Sequence, residues 1–124
     1  MTEYNYVSDK IGKFLIEIAK VSDYVGKNRH AACITYKKQT ISYGVNQLKT
    51  HPIMLEFFPK DKIFLHAEIS AIISAINECG HKFLSKCDLH VIRLDYNNEL
   101  KLSKPCKYCT EAINFYNIKN VYYS

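Results

Sequence analysis

The residues with the most chemistry in this chain are His66 and Glu68, two positions apart, and Cys106 and Cys109, three apart. One imidazole and two thiolates are good zinc donors. Three protein ligands leave a fourth coordination position open, the mark of a catalytic rather than a structural zinc. Zinc lowers the pKa of water in that position to about 7, and a carboxylate held off the metal can take and return its proton. The pattern assigns His66, Cys106 and Cys109 to Zn2+ and Glu68 to proton transfer. The competing reading is a closed structural site with Cys79, Cys87 or another histidine as fourth donor. Structural sites of the usual kind, however, pair their ligands at short spacing on both sides.

Two helix starts are needed to gather these groups. Ala67–Cys79 is apolar on most sides, which predicts a buried helix opened by His66 and stopped by Gly80. Pro105 suits a first helical position, and Cys106, Cys109, Ala112, Ile113 and Tyr116 then keep helical spacing up to Asn117. A helix N-terminus carries partial positive charge and free N–H groups, which favour the thiolate that zinc requires.

Around these lie further elements. A 3.6-residue period over Asp9–Val25 places Ile11, Phe14, Leu15, Ile18 and Val21 on one stripe, with Gly26 as the stop. His30–Tyr36 and Thr40–Val45 read as strands joined by a turn at Lys37, Lys38 and Gln39. The segment from Asn46 to Leu65 has no period and holds Pro52 and Pro59, so a substrate-contacting loop running into His66 is expected. Asp88–Leu94 reads as an interior strand, Tyr96-Asn97-Asn98 as a turn, and Ile118–Tyr123 as a last short strand. Helix, two strands, helix, strand, helix, strand implies one α/β domain over residues 1–124, with parallel pairing in its second half.

Composition narrows the class. With 48% hydrophobic residues the chain can bury a core, and no apolar run approaches the ~20 residues of a membrane span. Met1–Asp9 is polar and aromatic without a signal pattern, so a cytoplasmic protein is expected. Five cysteines, an odd count, argue against a disulfide framework, and Cys33, Cys79 and Cys87 are expected as small core residues. The net charge of +5 suits an anionic ligand, a nucleotide phosphate or a polynucleotide.

His66-Ala67-Glu68 together with Pro105-Cys106-Lys107-Tyr108-Cys109 resembles the cytidine and deoxycytidylate deaminase superfamily, from about Asp9 to Tyr123. The resemblance implies a three-layer α/β/α fold with a central mixed sheet and both zinc-binding helices on one face. It implies that His66, Cys106 and Cys109 bind zinc, that Glu68 shuttles protons, and that the Ala67 N–H holds the carbonyl of the base. Gly44-Val45-Asn46 is similar to a strand-end motif whose Asn touches sugar or base. Lys49, Thr50 and His51 follow it as phosphate contacts, and Pro105 joins the substrate-contacting set. A first-ligand His, and Arg29-His30-Ala31-Ala32 entering the first strand of the pair, are closer to the deoxycytidylate group than to free-cytidine deaminases. The family usually continues with a further helix and strand after the position of Ser124. On that ground this chain is C-terminally short, leaving a sheet edge for a second subunit and hence a homo-oligomer.

The expectation is therefore a zinc-dependent hydrolytic deaminase of a cytosine nucleotide, dCMP to dUMP. One alternative is a deaminase of bases in nucleic acid, including tRNA adenosine, which needs an exposed basic track. Another is a non-catalytic, zinc-stabilised interaction module, which has no use for Glu68.

Overall fold

The computed structural model describes residues 2–22, 28–49, 51–59 and 64–124. Its centre is a mixed sheet built from β1 (Glu3–Tyr6), β2 (Arg29–Tyr36), β3 (Gln39–Val45), β4 (Asp88–Leu94), β5 (Leu100–Lys101) and β6 (Asn120–Tyr123). The order across the sheet is β1-β6-β4-β2-β3, with β5 paired to β4. β2 runs antiparallel to both β3 and β4, whereas β4, β6 and β1 are mutually parallel. The helices are α1 (Asp9–Lys20), α2 (Met54–Phe57), α3 (Ala67–Cys79) and α4 (Lys107–Phe115), with a 3-10 turn over His81–Lys86.

The two-residue period of the strands sorts the core into two halves. Ala31 and Cys33 of β2, with Ile92 and Leu94 of β4, meet Leu15 and Ala19 of α1. The intervening Ala32, Ile34, Leu89 and Val91 point the other way, against Ile69, Ile72 and Ala75 of α3 and Ala112 and Ile113 of α4. The result is the expected three-layer α/β/α arrangement, with α3 and α4 on one face of the sheet. α3 packs so closely on β3 that a Cβ on Gly44 would lie 2.7 Å from the Ala71 backbone nitrogen.

Several expectations are corrected. The N-terminal segment is a strand: Tyr4 pairs with Val121 and Tyr6 with Tyr123, so β1 fills the edge beside β6 that was expected to await a second subunit. Its four residues are too few for a strand signal to stand out. α1 ends at Lys20 rather than Val25, and the stop assigned to Gly26 lies outside the described residues. The β2–β3 turn is Lys37-Lys38 alone, at φ 48° and 68°, so two lysines adopt the left-handed backbone usual for Asn-Gly. Gln39 already belongs to β3. The irregular segment before His66 contains the single turn α2 and a bridge from Gln47 to Leu65. Cys33 and Cys87 are buried, as expected, but Cys79 is exposed because α3 leaves the core in its last turn. The last strand begins at Asn120 rather than Ile118. Among the described residues, no helix is long and apolar enough to cross a membrane.

Candidate active site

The N-termini of α3 and α4 converge at one end of the sheet. His66 is the N-cap of α3, in extended backbone at ψ 148°, so its side chain leaves the helix at the first turn. Cys106 is the N-cap of α4 and its sulfur accepts from the Cys109 N–H at 3.5 Å. Pro105 therefore precedes the cap instead of opening the helix. The two cysteines stand at N-cap and N3, a spacing that turns both sulfurs the same way.

His66 Nδ1 lies 3.4 Å from Cys109 Sγ and 3.7 Å from Cys106 Sγ. The three donor atoms all fall within 4.8 Å of one another. Among the described residues, no fourth His, Cys, Asp or Glu joins them. One nitrogen and two sulfurs are zinc's own donor types, and a three-donor set suits an open centre; the closed structural alternative lacks its fourth ligand. Phe58 packs against the His66 ring, centroids 4.7 Å apart, and against Tyr108, at 5.2 Å. An aromatic wedge between the two helix starts thus limits the rotation of the imidazole.

The electrostatics fit sulfur ligation. Cys106 is pulled down to about 4, first by its hydrogen bond with the Cys109 side chain and further by His66 and the Cys109 N–H. Cys109 is raised, chiefly because that hydrogen bond makes it the donor, and then by burial. Zinc would bind both sulfurs as thiolates, with release of any proton they carry. Glu68 is 4% exposed, and burial pushes its carboxyl upward, partly opposed by a hydrogen bond from its own backbone N–H and by His66. A buried carboxyl with a raised pKa beside a metal-donor cluster is suited to proton transfer.

A cavity of about 330 Å3 opens over this cluster. His66, Glu68 and Cys106 line it, together with Asn28, His30, Asn46, Ala67, Phe64, Ser103 and Lys104. The Ala67 N–H is a first-turn donor with no acceptor inside the helix. Asn46 braces the wall: its Oδ1 accepts from the His30 N–H at 2.9 Å and its Nδ2 donates to the Asn28 carbonyl at 3.0 Å. Burial is the main reason the His30 pKa falls to about 4, so His30 is neutral near pH 7.

Of the residues expected at the site, His66, Ala67, Glu68, Cys106, Cys109 and Asn46 are brought together, while Thr50 lies outside the described residues. Lys49 and His51 are not. They line a separate cavity with Gln47, Leu65, Ser70, Ile73, Ser74 and Asn77, and the His51 Nδ1 is engaged by the Ile53 N–H at 3.2 Å. Proximity in sequence to Asn46 misled, because the chain turns away after the Gln47–Leu65 bridge. Pro105 is buried and absent from the cavity lining. Asn28, His30, Phe64, Ser103 and Lys104 were missed; only the adjacency of Ser103 and Lys104 to the Pro-Cys motif could have flagged any of them.

A mixed sheet carrying a His-Cys-Cys cluster and a buried carboxylate at two facing helix N-termini defines a zinc-binding deaminase fold. Residues 8–124 match the cytidine and deoxycytidylate deaminase zinc-binding region, and the chain belongs to that family. No curated protein matches this chain in sequence. Among solved structures, the dCMP deaminase of cyanophage S-TIM5 in complex with dCMP and dUMP aligns at TM-score 0.57 and 19% identity, covering 95% of this chain and 83% of that one. A structure from work on A-to-I editing by tRNA:A34 deaminases aligns at TM-score 0.55 and 24% identity, covering 92% of this chain and 71% of that one. Guanine deaminase from Bacillus subtilis aligns at TM-score 0.49 and 24% identity; the match covers 77% of this chain and spans about half that protein's length, 48%.

Proposed function

We propose that this chain is a cytoplasmic, zinc-dependent hydrolytic deaminase of a cytosine nucleotide, converting dCMP to dUMP with release of ammonia. The observation that carries the reading is Glu68: a buried carboxyl two residues from His66 that lies outside the three-donor group yet opens into the same cavity. A zinc-stabilised interaction module has no need of such a group.

His66, Cys106 and Cys109 would hold the zinc, which supplies an activated water when bound. The chain's own residues do the rest. Glu68 takes a proton from the attacking water and delivers it to the ring nitrogen beside the amino-bearing carbon, then takes the second proton from the hydroxyl formed on that carbon and gives it to the departing amine. The C–N bond to the amino group breaks, a C–O bond forms, and the products are the uracil nucleotide and ammonia. The Ala67 N–H holds the base carbonyl, and Asn46 fixes the wall that the sugar lies against. Phe58 packs against the His66 ring and Phe64 offers the base an apolar face in the cavity lining.

The test is ammonia release from a panel of dCMP, CMP, deoxycytidine, guanine and tRNA. Turnover of dCMP ahead of the others supports the reading. Turnover of tRNA or guanine alone would keep the deaminase and replace its substrate.

A further inference from the structure

The expected phosphate contacts, Lys49 and His51, line a different cavity, so the catalytic cavity must find its cation elsewhere. Among the described residues, its lining holds one lysine, Lys104, and one carboxyl, Glu68. These differ in exposure: Glu68 is buried, whereas Lys104 is exposed and marks the open side of the cavity, its rim. A base seated with its amino group toward His66 and Glu68 must leave its sugar and phosphate pointing toward that rim.

The backbone under Lys104 is fixed from both sides. Ser103 is 4% exposed, and its Oγ donates to the Val91 carbonyl at 3.0 Å. It also accepts from the Ser124 N–H at 2.8 Å, and its own N–H donates to the Ser124 carbonyl at 2.9 Å. Pro105, on the other side, is buried. The lysine head, by contrast, makes no ion pair among the described residues and rests over the Tyr4 ring, 5.9 Å from its centroid. That cation–π contact is weak at an exposed site and easily exchanged for a stronger anion. Other cations near the cavity do not line it: Arg29 donates to the Asp95 carbonyl and to Asn98 Oδ1, Arg93 donates to Asn28 Oδ1 at 3.4 Å, and Lys107 rests over the Tyr108 ring at 5.7 Å.

We propose that Lys104 reads the 5′-phosphate of a mononucleotide at the cavity mouth, making it the residue that separates nucleotide from nucleoside. This rests on the deaminase reading above for the orientation of the base, but its test does not require turnover. The affinities of zinc-loaded protein for dUMP and for deoxyuridine are measured by calorimetry, for the natural chain and for Lys104→Gln and Lys104→Arg. Charge-assisted contact with phosphate predicts that K104Q weakens dUMP by about tenfold to a hundredfold. Deoxyuridine should be unchanged, K104R should recover most of the loss, and zinc content and Tm should stay constant.

Equal weakening of both ligands, an unchanged dUMP affinity, or a natural chain that does not favour dUMP over deoxyuridine would each overturn the assignment. So would an effect confined to a single-stranded oligonucleotide carrying an internal cytosine, which would move the phosphate to a polynucleotide. The two readings fail separately. Deamination of cytosine compounds without phosphate preference removes only the role of Lys104. Preference for dUMP that depends on Lys104, without ammonia release from any substrate, removes only the deaminase.

Discussion

Gly44 offers the sharpest quantitative test of how the sheet positions the site. A Cβ at this position would lie 2.5 Å from Ser70 Oγ, 2.6 Å from Ser70 Cβ and 2.7 Å from the Ala71 backbone nitrogen. The Ser70 hydroxyl can rotate, but its Cβ and the helix backbone cannot, so β3 and α3 must separate. Overpacking of this kind costs about 1–3 kcal/mol, and a clash with backbone places Gly44→Ala at the upper end. At this chain length each kcal/mol shifts Tm by about 3–5 °C, so a fall of about 10 °C is expected in a thermal melt. The strain is applied beside the metal donors, because the Ser70 N–H donates to the His66 carbonyl at 2.9 Å. Zinc affinity should therefore fall too, by an amount on the order of tenfold, as when a ligand loses an orienting partner. Gly12 is the control. It lies inside α1, and a Cβ there would meet only Val7 Cγ1 at 3.8 Å. Gly12→Ala should stabilise by about 0.5–1 kcal/mol, the helix-interior penalty of glycine. If both alanines shifted Tm in the same direction, or G44A left it unchanged, the close packing of β3 on α3 would be refuted.

Three further outcomes are expected. Cys109→Ser should lose zinc and lower Tm, and a chelator should lower the Tm of the natural chain but not of this variant, since metal binding adds to folding stability. Glu68→Gln should retain about one zinc per chain while kcat falls by about a hundredfold or more; loss of zinc would make Glu68 a ligand instead. His90 is buried between Thr35 Oγ1, at 2.9 Å, and the stacked Tyr122 ring. Burial lowers its pKa, so the unfolded chain binds a proton more readily than the folded one. Its contribution to stability is complete above about pH 6.5 and is lost as pH falls below that value. Denaturant melts of His90→Gln should show a shallower acid-side decline, and an identical decline would contradict the burial argument.

The parts of the fold that were legible in the sequence are those where one physical signal dominates. Ala67–Cys79 was readable because an apolar stretch closed by Gly80 fits little else, and Gly80 does take φ 80°. Asp88–Leu94 was readable because its apolar residues show little alternation, as an interior strand buried on both faces requires, and Leu89, His90, Val91 and Ile92 are all buried. The donor set was readable because zinc chemistry restricts both residue type and spacing. What stayed hidden depends on distant pairing. β1 has three exposed residues out of four and acquires its identity only from β6, at the far end of the chain. The Lys37-Lys38 turn defies local preference because its register is imposed by the β2–β3 ladder. Likewise Lys104 and His30 reach one cavity only through the sheet order, and Lys49 leaves it for the same reason.

The central claim is tested most directly by ammonia release from dCMP, measured on zinc-loaded protein alongside the equally loaded Glu68→Gln variant. The account predicts one ammonia for each dUMP formed by the natural chain and almost none from the variant. A fully loaded natural chain that leaves every compound of the panel intact, or a variant that turns over as fast as its parent, would contradict it.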